Sequence, residues 1–452
     1  MRWVAIRIAC LLIVVVAALD WPQLPLAAEA ADSPPLLTLN EAIQIAIANN
    51  RSLKIAGLDV DKSKWQVAAA KTHRLPTMNG YLLGVADLTS PTFTFKEGTF
   101  GYVGKIPIPT QNTNIPLSQG PTGYALAQVA QPLSQLYKIH LFIREQQLSS
   151  DLASQEYRGK QQSVVSDVKE AYYAVLQTES ALDAAKMTVT EYRETDRVAL
   201  EYISQEAVLK SDSLEVKAKL AQSQHEVVVL QDNLQTQKEH LNDLLGRDLE
   251  TDFRTEPVPP ISLAETDLKL AQQTALSQRP EIKEAEINVE RADTDRKLAK
   301  AQYIPDVAAT FQYFTPINTQ LLPQNIASAG GELNWEVFEW GRRKDEVNQK
   351  KVTLDQSRYQ LKEAQSKVVL DVNNRFRKLE ESRSLLTVAQ AARDAANEKL
   401  REVNDKFKQQ AVLLRDVLQQ QSAVANADHD YEQALLSFWS AKAEFEKALG
   451  EE

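Results

Sequence analysis

Residues Gln131–Gly246 lie over Trp335–Gly450 at a constant offset of 204, with no gap. VVSDVKEAYY at 164–173 falls on VVLDVNNRFR at 368–377, Asp151 on Asp355, Ala207-Val208-Leu209 on Ala411-Val412-Leu413, and His225 on His429. Upstream an offset of 229 carries Leu39 onto Leu268, Ala42 onto Ala271, Leu53 onto Ile282 and Pro76 onto Pro305. A tandem duplication requires one structural unit that can be built twice and packed against itself. The two offsets differ by 25 residues, all of them in the first copy between Pro76 and Gln131. That excess, within TSPTFTFKEGTFGYVGKIPIPTQNTNIPLSQGPTG, reads as a surface loop by its length and its breakers.

Proline divides each copy. None occurs between Leu133 and Glu256, or between Gln324 and Glu452. Those tracts are rich in Ala, Leu, Gln, Glu, Lys and Arg, the strong helix formers. Val165, Val168, Tyr172 and Val175 step by threes and fours, and Leu182, Ala185 and Val189 resume the stripe; Val369, Val372, Phe376 and Leu379, then Leu386 and Ala389, repeat it. Helices over 133–203, 211–245, 341–408 and 415–449 follow, the longest on the order of 100 Å. Between them lie shorter segments of period two. Val307, Ala309, Phe311 and Tyr313 share one face of 306–315, and Leu333, Trp335 and Val337 one face of 331–338. Weaker alternation marks 77–88 and 123–131. Segments of nine or ten residues, apolar on one side and polar on the other, suit lipid-facing barrel strands. Four strands cannot close a barrel, because transmembrane barrels begin at about eight and open edges are not tolerated in lipid. Spanning strands would therefore have to be shared between chains. A soluble periplasmic or surface coiled-coil scaffold is the competing reading.

The first thirty residues read as a secretory signal: Arg2 and Arg7, then an apolar run from Ile8 to Leu19, then Ala28-Glu29-Ala30. The sole cysteine, Cys10, lies inside that segment, so the mature chain would carry no thiol or disulfide. The formal net charge of −10 speaks against nucleic acid as a partner. No nucleophile elbow, phosphate loop or zinc spacing is present, which argues against an enzyme and against a cofactor or metal centre. The implied organisation is a signal peptide at 1–30, a first repeat at 31–246, an acidic Pro-rich linker at 247–265 and a second repeat at 266–452. The fold class is mainly α with a small β part.

LTLNEAIQIAIANNRSL and its echo LKLAQQTALSQRPEI, then YIPDVAATFQY and QQAVLLRDVL, resemble in order and spacing the TolC-like outer-membrane efflux proteins. The resemblance covers essentially all of the chain after the signal. It implies a homotrimer in which four strands per chain make one 12-stranded outer-membrane barrel, continued by a periplasmic barrel of long helical hairpins. It also implies a periplasmic adaptor and an inner-membrane transporter as partners, outer-membrane lipid as surroundings, and export across the periplasm as the function.

The same resemblance makes the helical turns the periplasmic tip. Glu206, Ala207 and Val208 in one copy, and Gln410, Ala411 and Val412 in the other, would be adaptor-docking turns. Family members commonly carry Val-Gly there, and this chain has Glu206 and Gln410 in place of the glycines. Asp212 and Glu215, with Asp416 and Gln419, would surround the pore constriction. Each aspartate has a plainer role as a helix N-cap. Trp335, Phe338 and Trp340 fit a membrane-interface belt, or a plug of core aromatics at the strand–helix junction.

Overall fold

The structure is a computed structural model that describes residues 34–86, 88, 92–116, 118–204, 210–258, 267–319, 323–409, 411–412 and 414–451. The segment read as a signal peptide lies outside these residues.

Each repeat opens with two short helices. In the first they are α1 (Leu39–Asn49) and α2 (Arg51–Thr72). Thr38 and Glu41 form a capping box on α1, and Asn50 Oδ1 accepts from Ser52 N and Leu53 N to start α2. In the second repeat α5 (Leu268–Gln278) and α6 (Pro280–Ala301) have the same lengths, 11 and 22 residues. The long helices are α3 (Leu136–Ser204) and α4 (Lys210–Leu245), then α7 (Arg342–Lys408) and α8 (Leu414–Leu449). At 69 residues α3 is about 100 Å long. No described helix is long and apolar enough to cross a membrane.

The duplication is visible in what is buried. One core holds Ala42, Ala46, Val164, Val168, Leu241 and Leu245. Its counterpart holds Ala271, Ala275, Val368, Val372, Phe445 and Leu449, the same positions shifted by 229 or 204. Trp439 packs against both and joins the halves. The stretch read as a linker also reaches the core. Phe253 is wholly buried beneath Lys238 and Arg247, whose cations lie 5.3 and 4.9 Å from its ring centre. The pair β1 (Leu36–Leu37) and β8 (Arg254–Thr255) runs parallel beside it. The Tyr172 hydroxyl donates to Leu37 O and accepts from Glu256 N, both at 2.8 Å, and burial pushes its pKa up to about 12.

Each repeat ends on a left-handed glycine. Gly246 and Gly450 have φ of +68° and +84°, and the residue after each donates back five positions, a Schellman closure. A methyl group on Gly246 would stand 2.5 Å from Asn49 O, whereas one on Gly450 would find its nearest atoms at 3.1 Å. The left-handed backbone costs any other residue about 1–2 kcal/mol, and the collision adds to it at Gly246. Gly246→Ala is therefore expected to lower the thermal midpoint of the purified protein further than Gly450→Ala. Equal midpoints would contradict the close approach.

The membrane-length strands are β2 (Thr77–Val85), β7 (Ser118–Pro132), β9 (Asp306–Thr319) and β10 (Ile326–Asn334), antiparallel in the order β10-β9-β7-β2. The strand expected at 331–338 is displaced. It begins at Ile326 and ends at Asn334, opposite Asp306. Its partner among the described residues, β9, starts there after Pro305, so Trp335–Phe338 keep the alternation but pair with nothing within the chain's described residues. The start was hidden because IASAGG pairs by position rather than by β-propensity. The surface loop carries structure too: β3 (Thr92–Phe95) pairs with β6 (Thr113–Pro116), and β4 (Tyr102–Val103) with β5 (Ile106–Pro107).

Candidate functional site

The register of the four-stranded sheet sorts its side chains into two faces, because partners across a ladder share a side. One row reads Met78–Val129–Phe311–Ala329, and two residues further along comes Gly80–Ala127–Tyr313–Ala327. The row between them reads Asn79–Gln128–Gln312–Ser328 on the opposite face. Gln131 and Thr315 apart, the first face is apolar along its length. The opposite face is polar in its half toward the helices, where Thr77, Thr310, Glu332, Asp306 and Asn334 accompany the polar row, and apolar toward the far rim, where the next row is Tyr81–Leu126–Phe314–Ile326. This is the pattern of a barrel wall with lipid outside and, in the half near the helices, water inside.

The sheet is tied to the helices beneath it. The Ser134 hydroxyl, between β7 and α3, donates to Pro305 O at 2.6 Å and accepts from Val307 N at 2.7 Å. Lys138 pairs with Asp306 at 2.6 Å. The helices continue the strand order downward. Next to the sheet they pack as α2–α3–α6–α7, and further down as α4–α3–α8–α7. Among the described residues the outermost long elements of this wall are β2, α2 and α4 on one side and β10 and α7 on the other.

Apolar side chains stand exposed along both edges. On α7 the residues Val352, Tyr359, Leu370 and Val388 are exposed, while Leu354, Val368, Val372 and Leu379 are buried. At 3.6 residues per turn the two sets lie about 180° apart. On α2, Leu58 and Trp65 face about 180° away from Leu53, Ser63 and Ala70, which pack toward α3. Trp65 is 76% exposed and Tyr359 72%, far more than an isolated wall in water would keep. These stripes went unread in the sequence, although the 7- and 11-residue steps from Val352 to Tyr359 to Leu370 were there to find.

Of the expected tip residues, Glu206, Ala207, Val208 and Gln410 lie outside the described residues. Asp212 falls at the start of α4 and Asp416 in the first turn of α8, half-buried. A carboxylate there is favoured by the helix dipole. Ser213 and Val417, one residue on and repeat partners, are both buried. The aspartates thus stand beside matching contact positions at the lower ends of the two hairpins. Glu215 and Gln419 are exposed, as is Ala411, and Val412 is half-buried. The end of α7 closes without a left-handed residue at Gln409, Ala411 or Val412. Gln409 sits at φ −86° and ψ 4°, and Ala411 N donates to Lys406 O at 2.9 Å.

Trp335, Phe338 and Trp340 follow the end of β10 and are all exposed, Trp340 by 88%. Phe338 and Trp340 meet edge to face at 4.8 Å, and Trp340 and Gly341 both take positive φ to turn the chain into α7. That exposure excludes a core plug within the chain. The repeat partners His225 and His429 gather no ligands; His429 Nδ1 has Ser180 Oγ at 3.5 Å. Among the described residues no group of three His, Cys, Asp or Glu side chains is placed to hold a metal.

One carboxylate between the repeats is unusual. Burial pushes Glu284 on α6 up to about 7, and the carboxylates of Glu156 on α3 and Glu281 add to it, the latter held by Arg279. Its folded pKa lies above the ordinary 4.5, so the folded state keeps the proton longer than the unfolded one. Stability should then fall as pH rises from 4.5 to about 7. Glu284→Gln is expected to raise the thermal midpoint at pH 8, to leave it nearly unchanged at pH 4.5, and so to flatten the slope. An unaltered slope would contradict this.

The family model described as outer membrane efflux protein matches residues 42–247 and 271–451. The solvent efflux pump outer membrane protein SrpC and the toluene efflux pump outer membrane protein TtgI, both of Pseudomonas putida, are each 25% identical over 298 residues. That alignment spans 64% of this chain and 57% of each relative's length. The Campylobacter jejuni CmeC outer membrane channel superposes with a TM-score of 0.73 at 17% identity, over 91% of this chain and 85% of that one. The outer membrane protein VceC of Vibrio cholerae gives 0.71 at 14% identity, over 91% and 96%. With both repeats matched and the gap between them falling on the linker, the chain belongs to the outer membrane efflux protein family.

Proposed function

We propose that this chain is the outer-membrane exit duct of a tripartite efflux or type I secretion system, acting as a closed ring of three copies. The observation that carries the reading is a wall with one apolar sheet face and two unpartnered edges. Strands alternate in direction across the sheet, so β10 of one copy can extend the ladder onto β2 of the next in the antiparallel sense. The α7 stripe then meets the α2 stripe of that neighbour and, further down, the edge formed by its α4. This is a head-to-tail contact, which closes into a ring when the rotation permits. Strand count demands at least two copies; the number three comes from the family.

In that ring the apolar face meets outer-membrane lipid and the polar row lines water. Trp335, Phe338 and Trp340 sit at the periplasmic interface. The hairpins reach down into the periplasm, where Glu206–Val208 and Gln410–Val412 dock an adaptor joined to an inner-membrane transporter. Asp212, Glu215, Asp416 and Gln419 surround the constriction, the acids drawing cations. The chain itself catalyses nothing, and the transporter supplies the energy. The protein reaches the outer membrane after cleavage of residues 1–30.

Deleting the gene in the cell that makes the protein tests this. The expected phenotype is sensitivity to at least one toxic small molecule, or the loss of one exported protein, restored by a wild-type copy. Unimpaired export of every cargo tried after the deletion, from a parent strain in which the protein forms outer-membrane trimers, would contradict it.

A further inference from the structure

We propose that residues 92–116 of the three copies meet over the outer mouth of the ring and seal it with apolar side chains; this rests on the ring reading. The segment is one continuous arm. Thr92–Phe95 pair with Thr113–Pro116, Gly98 N donates to Pro109 O, and Phe100 N donates to Ile108 O. Ile108 N donates to Gly101 O, and Tyr102-Val103 pair with Ile106-Pro107 at the tip. Phe93, Phe95 and Phe100 run along the arm in ring contact, 6.4 and 5.1 Å apart.

The far half of the arm is apolar and uncovered. Phe100, Tyr102, Val103 and Ile106 are 66%, 70%, 65% and 59% exposed. Only Lys96, Glu97 and Lys105 carry charge in the whole segment. A tip of this chemistry belongs against another apolar surface, and the choice of surface follows from place and reach. The arm leaves from the rim, where Ser118 pairs with Thr319 at the last residue of β9. An arm of about eleven paired levels extends up to roughly 35 Å. A twelve-stranded barrel with strands tilted by about 40° has a radius of about 12 Å. Half the arm is enough to reach the axis.

The duplication supplies the spacing. In the second repeat β9 ends at Thr319 and β10 begins at Ile326, six residues apart in sequence, so only every second hairpin of the ring has length enough for an arm. Three long arms would alternate with three short turns, which leaves each arm room to fold inward. Each tip then buries its apolar residues against two copies of itself. Docking of the same tips into lipid around the barrel is the opposing outcome.

The test uses the full-length trimer in intact cells, with Cys10, the chain's only cysteine, changed to alanine. Ser328→Cys places a thiol on the polar row. It is probed from outside with a small maleimide and with one carrying a short polyethylene glycol that an open barrel would admit. In the wild-type arm the larger reagent should react at least about tenfold more slowly than in a variant with residues 93–115 replaced by a Gly-Ser linker. The small reagent should label both, showing that the barrel has formed. Val103→Cys should form one disulfide for every three chains under mild oxidation. Equal labelling rates in a protein that is trimeric by native mass would overturn the seal, as would Val103→Cys chains that never cross-link in such a trimer. A native mass without a trimer would overturn the ring reading itself, and the seal with it.

Discussion

Phe311→Arg is expected to keep the protein out of the outer membrane, whereas Gln312→Arg, one residue along the same strand, should insert at close to the wild-type level. The two side chains stand on opposite faces of β9, Phe311 in the row with Met78, Val129 and Ala329, and Gln312 with Asn79, Gln128 and Ser328. An arginine facing lipid near mid-depth costs about 2–4 kcal/mol. In the proposed ring of three copies that cost recurs in each copy, about 6–12 kcal/mol in all, comparable to the whole stability of an ordinary folded domain. An arginine on the water-filled side keeps its hydration. Separating membrane from soluble fractions and reading heat-resistant oligomers on gels would distinguish the two variants. Equal insertion, or loss of the Gln312 variant alone, would contradict the face assignment.

Ring assembly should fail when Trp65 and Tyr359 are both replaced by glutamate. Each is largely exposed in the single chain and points away from its own helix partners. Neither replacement should therefore disturb the helices of one copy, and the circular dichroism should be unchanged. An aromatic side chain covers about 150–250 Å² when buried, up to about 4–6 kcal/mol at 25 cal/mol per Å². Replacing it by a carboxylate removes that contribution and sets a charge in a dry seam. Native mass spectrometry in mild detergent should then find single chains where the wild type gives trimers. Lys64→Ala, also on α2 and exposed with its Asp61 partner but turned about 100° from Trp65, should remain trimeric. A persisting trimer in the double variant would show that the seam runs elsewhere.

The repeat and the long helices were legible because they rest on many residues at once. The offsets of 204 and 229 recur in the buried sets, Val164 with Val368 and Ala42 with Ala271. The strand faces were legible where alternation was strong, as at Val307 to Tyr313. They were not at Ile326–Gly330, where small residues pair only because β9 lies beside them. Phe253 looked like linker because nothing near it is periodic; two cations from distant turns make its site. The tip aspartates could be placed at helix starts from spacing, but what they face depends on other copies. For the same reason the edges were the hardest to read. A side chain that packs against another copy looks, within one chain, like a hydrophobic residue left in water.

Electron microscopy of the protein extracted from outer membranes in mild detergent tests the shared barrel on a helical tube most directly. Particles of three-fold symmetry are expected, with on the order of 100 Å of helix projecting beyond the detergent belt. A single-chain rod that remains soluble without detergent would contradict it.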